Sequence, residues 1–243
     1  MCNRYEYEGS FEKLSEHYGA APIGALERKS PAFPKYLVPG LIRNKEGIRE
    51  LHPMQFAFST PGMKTPFIPG KNRNNARIES AHIPPWRDAF RESRCVIPLT
   101  AFHEPCYWGE ETEQMKVYFH RPDNKMLNAA GLYREWMSPE GGPPLLTMSM
   151  LIGPAMPYVM ERGHERQPIF ISDDGLDEWL APAEYSTDRA REILREFFAD
   201  PELTHRCDGE LTEKSWRSNQ ANRLSRRDNQ IAELGRCKHS CGF

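Results

Sequence analysis

Apolar positions along this chain come in short bursts separated by prolines and polar turns. Phe11, Leu14 and Tyr18 recur at helical spacing, so Ser10 to Tyr18 predicts a short helix that Gly19 can end. Tyr36 to Gly40 and Gln55 to Ser59 read as strands. Pro84 and Pro85 can open a helix to Ser93, with Trp86 and Phe90 one turn apart. Cys95 to Leu99 and Ala101 to Trp108 predict two successive strands, Gly109 to Gln114 a turn, and Met115 to His120 a returning strand. Leu145 to Ile152 and Ile169 to Ser172 are further strands. Glu178 to Ala181 belongs to a short helix. Ser186 or Thr187 can cap a longer one to Phe198, with Ile193, Leu194, Phe197 and Phe198 inward.

Many strands broken by a few short helices predict an α+β domain, not a regular βαβ repeat. The sheet system is expected to be curved, mostly antiparallel and barrel-like. Twenty-one prolines keep the elements short. There is no internal repeat. No boundary shows before about Asp208, and residues 1–217 are expected to form one domain with 218–243 as a basic extension.

Length and composition narrow the function. In 243 residues no run approaches the roughly 18 apolar residues of a membrane span. The start, MCNRYEYEGS, has no apolar core of a secretory signal. Six cysteines are too sparse for a disulfide scaffold, so a reducing, cytoplasmic protein is expected. Net charge is −2, yet two segments are basic. Lys64 to Arg94 carries seven basic against three acidic residues, and Lys214 to Phe243 seven against two. Together they could form one face for phosphates, with Lys64, Arg73 and Arg77 on it.

Four segments carry chemistry. Once Met1 is removed, Cys2 offers an α-amine and a thiol on neighbouring carbons. About one α-amine in six is unprotonated at pH 7, against about one lysine in 2,500. Such an amine can form a Schiff base with an aldehyde, and the thiol can close onto the imine carbon as a thiazolidine. Asn75 stands two residues before Arg77, an amide beside a phosphate-binding guanidinium. Glu104 follows an apolar run, where partial burial would raise its pKa into the range of proton transfer. His164 precedes a predicted strand and can donate or accept a proton. Each of these alone also fits an ordinary surface residue. Cys237 and Cys241 flank His239, but the spacing is not that of a zinc site and no second pair exists. No metal or cofactor is expected.

In this order the segments resemble the SOS response-associated peptidase (SRAP) family. Met1-Cys2-Asn3-Arg4 is similar to its Met-Cys-Gly-Arg start, and Asn75-Ala76-Arg77-Ile78-Glu79 to its Asn-Ala-Arg-x-Glu motif. Arg94-Cys95-Val96-Ile97-Pro98 with Phe102-His103-Glu104 resembles Arg-Cys-Leu-x-Pro and Phe-Tyr-Glu-Trp. His164-Glu165-Arg166-Gln167-Pro168 resembles His-x-Arg-Met-Pro. Val38-Pro39-Gly40 and Trp179-Leu180 match two shorter stretches.

The resemblance implies a monomeric α+β protein with a basic groove that captures abasic sites in single-stranded DNA during the damage response. It would act in the cytoplasm, at the nucleoid when bound. Cys2 would be the nucleophile and Asn75 would position its amine and the opened sugar. Glu104 would shuttle protons, and His164 would bind the sugar hydroxyl or adjacent phosphate. Arg4 and Arg77 would hold phosphates. The family name also implies a possible autopeptidase that removes Met1. Two other readings are a thiol hydrolase using Cys2 and a non-covalent single-stranded DNA module.

Several positions depart from the pattern. Asn3 replaces glycine, and Pro105 stands where tryptophan is usual. Met63 and Lys64 follow Pro61-Gly62 where the family often has tryptophan, so its base-stacking platform is expected to be weaker or replaced. Retention of Met1 would turn the Cys2 nitrogen into an amide, and the Met1–Cys2 peptide would then lie near Glu104 and His164.

Overall fold

The structure is a computed structural model. It describes residues 2–27, 30–69, 73–107, 114–181 and 184–210. In chain order the strands are β1 (Arg4–Glu6), β2 (Ala21–Pro22), β3 (Leu37–Arg43), β4 (Arg49–Phe56), β5 (Asn75–Arg77), β6 (Arg94–Leu99), β7 (Ala101–Tyr107), β8 (Gln114–His120), β9 (Leu127–Trp136), β10 (Leu145–Pro154), β11 (Arg166–Pro168) and β12 (Thr204–Glu210). The helices are α1 (Phe11–Tyr18), α2 (Arg87–Glu92), α3 (Pro157–Met160), α4 (Leu176–Trp179) and α5 (Thr187–Glu196).

Five strands close a barrel in the order β3, β4, β10, β9, β6 and back to β3. Four of the five seams are antiparallel. The β4–β10 seam is parallel, at Gln55 opposite Thr147 and Phe56 opposite Met148. A second sheet, β1-β7-β8-β12, continues from β6 across Thr100 alone. It packs onto the barrel through aromatic rings. Phe102 stacks on Phe119 at 5.2 Å and tilts against Phe170, and Tyr5 meets Phe56 edge-on at 5.2 Å. This is the expected α+β class, with a curved, mostly antiparallel and barrel-like sheet system.

The first predicted helix is present with its expected ends. The Ser10 hydroxyl accepts from the Lys13 amide, and Gly19 closes the last turn in the left-handed region. Elsewhere the boundaries differ for physical reasons. β4 starts at Arg49, earlier than the predicted Gln55, because its alternating polar side chains face outward while the backbone pairs with β3. Pro53 sits opposite Pro39, a pair that exchanges no amide hydrogen bonds. On its other edge Pro53 falls between the stretches bonded to β2 and β10, so its missing N–H breaks no ladder.

β9 has no apolar alternation to announce it. Its first half is buried and built from Asn128, Ala129, Ala130 and Gly131, because its neighbours leave little room. A Cβ at Gly131 would lie 2.8 Å from the Cys95 sulfur. The predicted strand at Ile169 to Ser172 instead has its ladder at Arg166–Pro168, and Phe170 and Ile171 make single bridges to Ala129 and Phe198. The predicted turn at Gly109 to Gln114 falls mostly outside the described residues.

Part of the expected basic face belongs to the fold. Arg94 is 3% exposed and donates to the carbonyls of Trp179 at 2.8 Å and Ala181 at 2.7 Å, with the Tyr185 ring 4.4 Å away. Burial pushes its pKa down to about 10. Arg91 pairs with Glu184, and Arg87 with Asp88. The Arg-Cys-Val-Ile-Pro stretch is therefore an anchor for the α4 segment.

Replacing Arg94 by Ala strands those buried carbonyls, each lost charged hydrogen bond being worth about 1.5–3 kcal/mol. We expect Arg94→Ala to lower the urea midpoint, corresponding to a loss of at least about 2 kcal/mol of unfolding free energy. Equal midpoints would show that the guanidinium is not an anchor.

Candidate active site at the N-terminal strand

The edge strand β1 brings the N-terminus into the interior. Arg4 is opposite His103, and Tyr5 opposite Phe102, so residue 2 lies beside the middle of β7. Cys2 is fully buried, and its thiol points at the Arg4 carbonyl oxygen at 3.5 Å. Its pKa is held well above the usual thiol value, first by burial and then by the Glu104 carboxylate. At neutral pH the sulfur therefore carries its proton.

Along β7 the side chains alternate. Phe102, Glu104 and Cys106 face inward, and His103 turns outward against the Tyr118 ring at 5.0 Å. Glu104 has no exposed surface, and burial lifts its pKa to about 7, with Glu165 adding to the rise. Its Oε2 lies 3.2 Å from His164 Nε2.

His164 is presented by the tight turn after α3. Gly163 closes that turn at φ 83°, and its amide bonds the Met160 carbonyl at 2.8 Å. The other imidazole nitrogen, Nδ1, is 2.7 Å from the Arg166 carbonyl oxygen. The Arg166 amide also approaches Nδ1, at 3.3 Å, but the shorter contact is to a carbonyl, which only accepts, so the hydrogen is assigned to Nδ1. One proton is then left to bridge Nε2 and Glu104 Oε2. The pair is either a carboxylic acid with neutral imidazole or a carboxylate with imidazolium. A group with one shared proton and a carboxyl pKa near neutrality can both take and return a proton.

Asn75 arrives from a different part of the chain. β5 lies parallel to β10, with Asn75 opposite Met150. Its Nδ2 donates to the Cys2 carbonyl at 2.9 Å and to Asn3 Oδ1 at 3.2 Å. Asn75 Oδ1 is buried with no hydrogen-bond partner among the described residues, an acceptor available to an incoming donor. Asn3 also accepts from Asn74 Nδ2 at 2.8 Å. The two consecutive asparagines thus clamp the N-terminal segment, and Asn3, where the family has glycine, supplies the oxygen they share.

The structure brings Cys2 and Asn75 into one contact set and Glu104 and His164 into another, joined through the Glu104 charge felt at Cys2. The four predicted basic residues are dispersed. The Arg4 guanidinium is held 5.4 Å from the Phe33 ring and 5.0 Å from the Tyr118 ring. Arg77 is exposed at the end of β5 and forms no ion pair among the described residues, while Glu79 pairs with Arg166. Lys64 is exposed, and Arg73 points Nη1 at the Met63 sulfur at 3.7 Å.

Asn3, marked in the sequence only as a departure from glycine, and Asn74 join the clamp, and a further cluster lies behind the His164 turn. There Tyr158 Oη meets His205 Nδ1 at 2.8 Å, and Arg162 covers the Tyr158 ring. The doubled asparagine was the one visible signal. His205 lies some forty residues downstream with nothing in its neighbourhood to mark it. Met1, residues 218–243, Cys237 and Cys241 lie outside the described residues, and so does the expected position of the Met1–Cys2 peptide.

The architecture is a closed five-strand barrel flanked by a second sheet, with the buried Cys2 thiol and the Glu104–His164 pair between them as the candidate site. The SOS response associated peptidase (SRAP) family matches residues 1–207, and the chain belongs to that family. It is 26% identical over 206 residues to the abasic site processing protein YoqW of Bacillus subtilis (strain 168), covering 82% of this chain and 89% of that one. It is 28% identical over 120 residues to the abasic site processing protein HMCES of Gallus gallus, covering 42% of this chain and 35% of that one. A crystal structure of a Bordetella bronchiseptica protein superposes with a TM-score of 0.69 at 22% identity, over 86% of this chain and all of that one.

A raised carboxyl pKa has a thermodynamic signature. Between about pH 4.5 and 7 the folded Glu104 keeps a proton that the unfolded chain releases. The folded state then binds more protons, so stability falls as pH rises through this window and levels off above it. We expect Glu104→Gln, which keeps the shape, to flatten that fall in urea midpoints measured from pH 4.5 to 8. The same slope in both proteins would contradict a buried carboxyl of raised pKa.

Proposed function

We propose that this chain captures abasic sites in single-stranded DNA by forming a thiazolidine through Cys2. The observation that carries the reading is the buried Glu104–His164 pair beside an N-terminal cysteine whose carbonyl Asn75 grips. The names of the relatives support DNA abasic-site processing. With Met1 removed, the Cys2 amine adds to the aldehyde of the opened deoxyribose, and loss of water leaves an imine. The sulfur then adds to the imine carbon while its proton passes to the imine nitrogen, giving a five-membered ring.

Two proton movements need a carrier, because the thiol is protonated at neutral pH. Glu104, with its pKa near 7 and one proton shared with His164, can accept the thiol proton and deliver it to nitrogen. Asn75 Oδ1 is an acceptor for the amine or a sugar hydroxyl. Arg77, exposed beside Asn75, would hold a phosphate. The basic residues of 218–243 would add phosphate contacts as an extension to the domain.

On a denaturing gel, protein beginning at Cys2 should shift abasic single-stranded DNA, and Cys2→Ala should not. Homogeneous protein retaining Met1, checked by intact mass, should make no stable adduct because its Cys2 nitrogen is an amide. Equal adduct formation by either control would exclude thiazolidine chemistry.

Losing one phosphate contact on a single strand changes the slope of log affinity against log salt by about 0.7. Arg77→Ala is expected to weaken single-stranded DNA binding and flatten that slope by this amount. An unchanged slope would remove Arg77 from the interface.

A further inference from the structure

Beside the N-terminal strand is a turn that no step of the chemistry above uses. Tyr5 and Ala32 bond each other's backbone, at 2.7 and 3.3 Å, which places Phe33 next to β1. Phe33, Pro34, Lys35 and Tyr36 then form a turn closed by the Tyr36 amide on the Phe33 carbonyl at 3.0 Å. Proline at its second position and φ 82° at its third are the features of a type II turn. That third position favours glycine, and here it is lysine.

A lysine at positive φ is strained, and such conformations persist only where the surroundings hold them. Here they do. The Lys35 amide bonds the Phe56 carbonyl at 2.9 Å, and its carbonyl accepts from Gln55 Nε2 at 3.1 Å. The Lys35 side chain is exposed and forms no ion pair among the described residues.

The turn also exposes apolar surface. Phe33 is 37% exposed, Tyr36 41% and the following Leu37 42%, and the two rings meet edge-on at 5.6 Å. Arg4, two residues from Cys2, lies 5.4 Å from the Phe33 ring. Two rings flanked by an exposed ammonium and a guanidinium complement a nucleotide, whose base presents a π-face and whose phosphate is anionic. A purely apolar partner would leave the exposed Lys35 ammonium unmatched.

We propose that the Phe33–Tyr36 turn is a nucleotide platform for single-stranded DNA. Its rings stack the base neighbouring the abasic nucleotide, and Lys35 holds that nucleotide's phosphate. This rests on the function proposed above. It places the missing stacking surface on the turn beside β1, and not after Pro61-Gly62.

The test uses single-stranded oligonucleotides carrying a tetrahydrofuran abasic analogue, which has no aldehyde and forms no adduct. A 2-aminopurine stands on its 5′ side in one oligonucleotide and on its 3′ side in another. The wild-type chain should change the probe fluorescence at one of the two positions. Phe33→Leu and Tyr36→Leu keep the apolar bulk but remove a ring, and each should abolish that change. Each should also weaken binding by about 5- to 150-fold, the range for one base–aromatic stack.

Lys35→Gly should reduce the salt slope by about 0.7 while leaving the thermal midpoint equal or higher, because glycine adopts positive φ freely. Leucine variants that bind as wild type, or no fluorescence change with either probe, would overturn the platform. So would a Lys35→Gly protein with a lowered midpoint or an unchanged slope. Wild-type protein that perturbs the probe yet never crosslinks aldehyde-bearing abasic DNA would overturn the crosslinking reading alone.

Discussion

One strand, β10, has both of its edges occupied along its length, and the rest of the molecule is arranged around that constraint. A strand has two rows of backbone donors and acceptors, and buried ones must all be met. On one edge β10 bonds β9 and then β11; on the other it bonds β4 and then β5. The first member of each pair closes the barrel. The second member, further along, carries a side chain of the candidate site or follows one: β5 carries Asn75, and β11 follows His164. Barrel closure and site assembly are thus successive stretches of one ladder, so slippage of β10 would disperse the site along with the core.

The N-terminus is drawn into this arrangement by β1, an edge strand of only three residues. So short a strand is weak on its own. Its hold comes from the Asn3–Asn74–Asn75 hydrogen bonds on one side and from Tyr5, packed against Phe56, on the other. The result is a cysteine with no exposed surface next to a carboxyl with none. In that setting a lone carboxylate is costly, and the proton shared with His164 is the compensation. The same burial that opposes charge at Glu104 keeps the Cys2 thiol protonated. Both groups thereby stay in a state from which a proton can be moved.

The distribution of cations follows one division. Arginines that lean inward or along the surface are matched: Arg94 by carbonyls, Arg91 by Glu184, Arg49 by Asp177, Arg166 by Glu79 and Arg206 by Glu6. Arg77, Lys64 and Lys35 point outward and form no ion pair among the described residues. A count of charges over Lys64 to Arg94 merges the two groups, since a guanidinium bound to buried carbonyls reads in sequence like one exposed to solvent. The unmatched cations lie in the turn beside β1 and in the segment leading through β5, near the two elements that hold Cys2.

The sequence by itself determined the α+β class, the capped helix at Phe11–Tyr18, the paired strands through Glu104 and, through its ordered motifs, the family. These depend on nearest-neighbour chemistry: a serine cap, a left-handed glycine, period-two alternation and residue types at short spacing. Only the tertiary structure decided that β9 is a strand, because its alanines and glycine answer to the crowding of Cys95 and Ile97, not to an apolar period. Only it distinguished Arg94 from Arg77, and paired Glu104 with a histidine sixty residues away. It also revealed Lys35 in a conformation suited to glycine. Burial, ladder register and backbone dihedral angle are set by residues distant along the chain, so no local pattern can contain them.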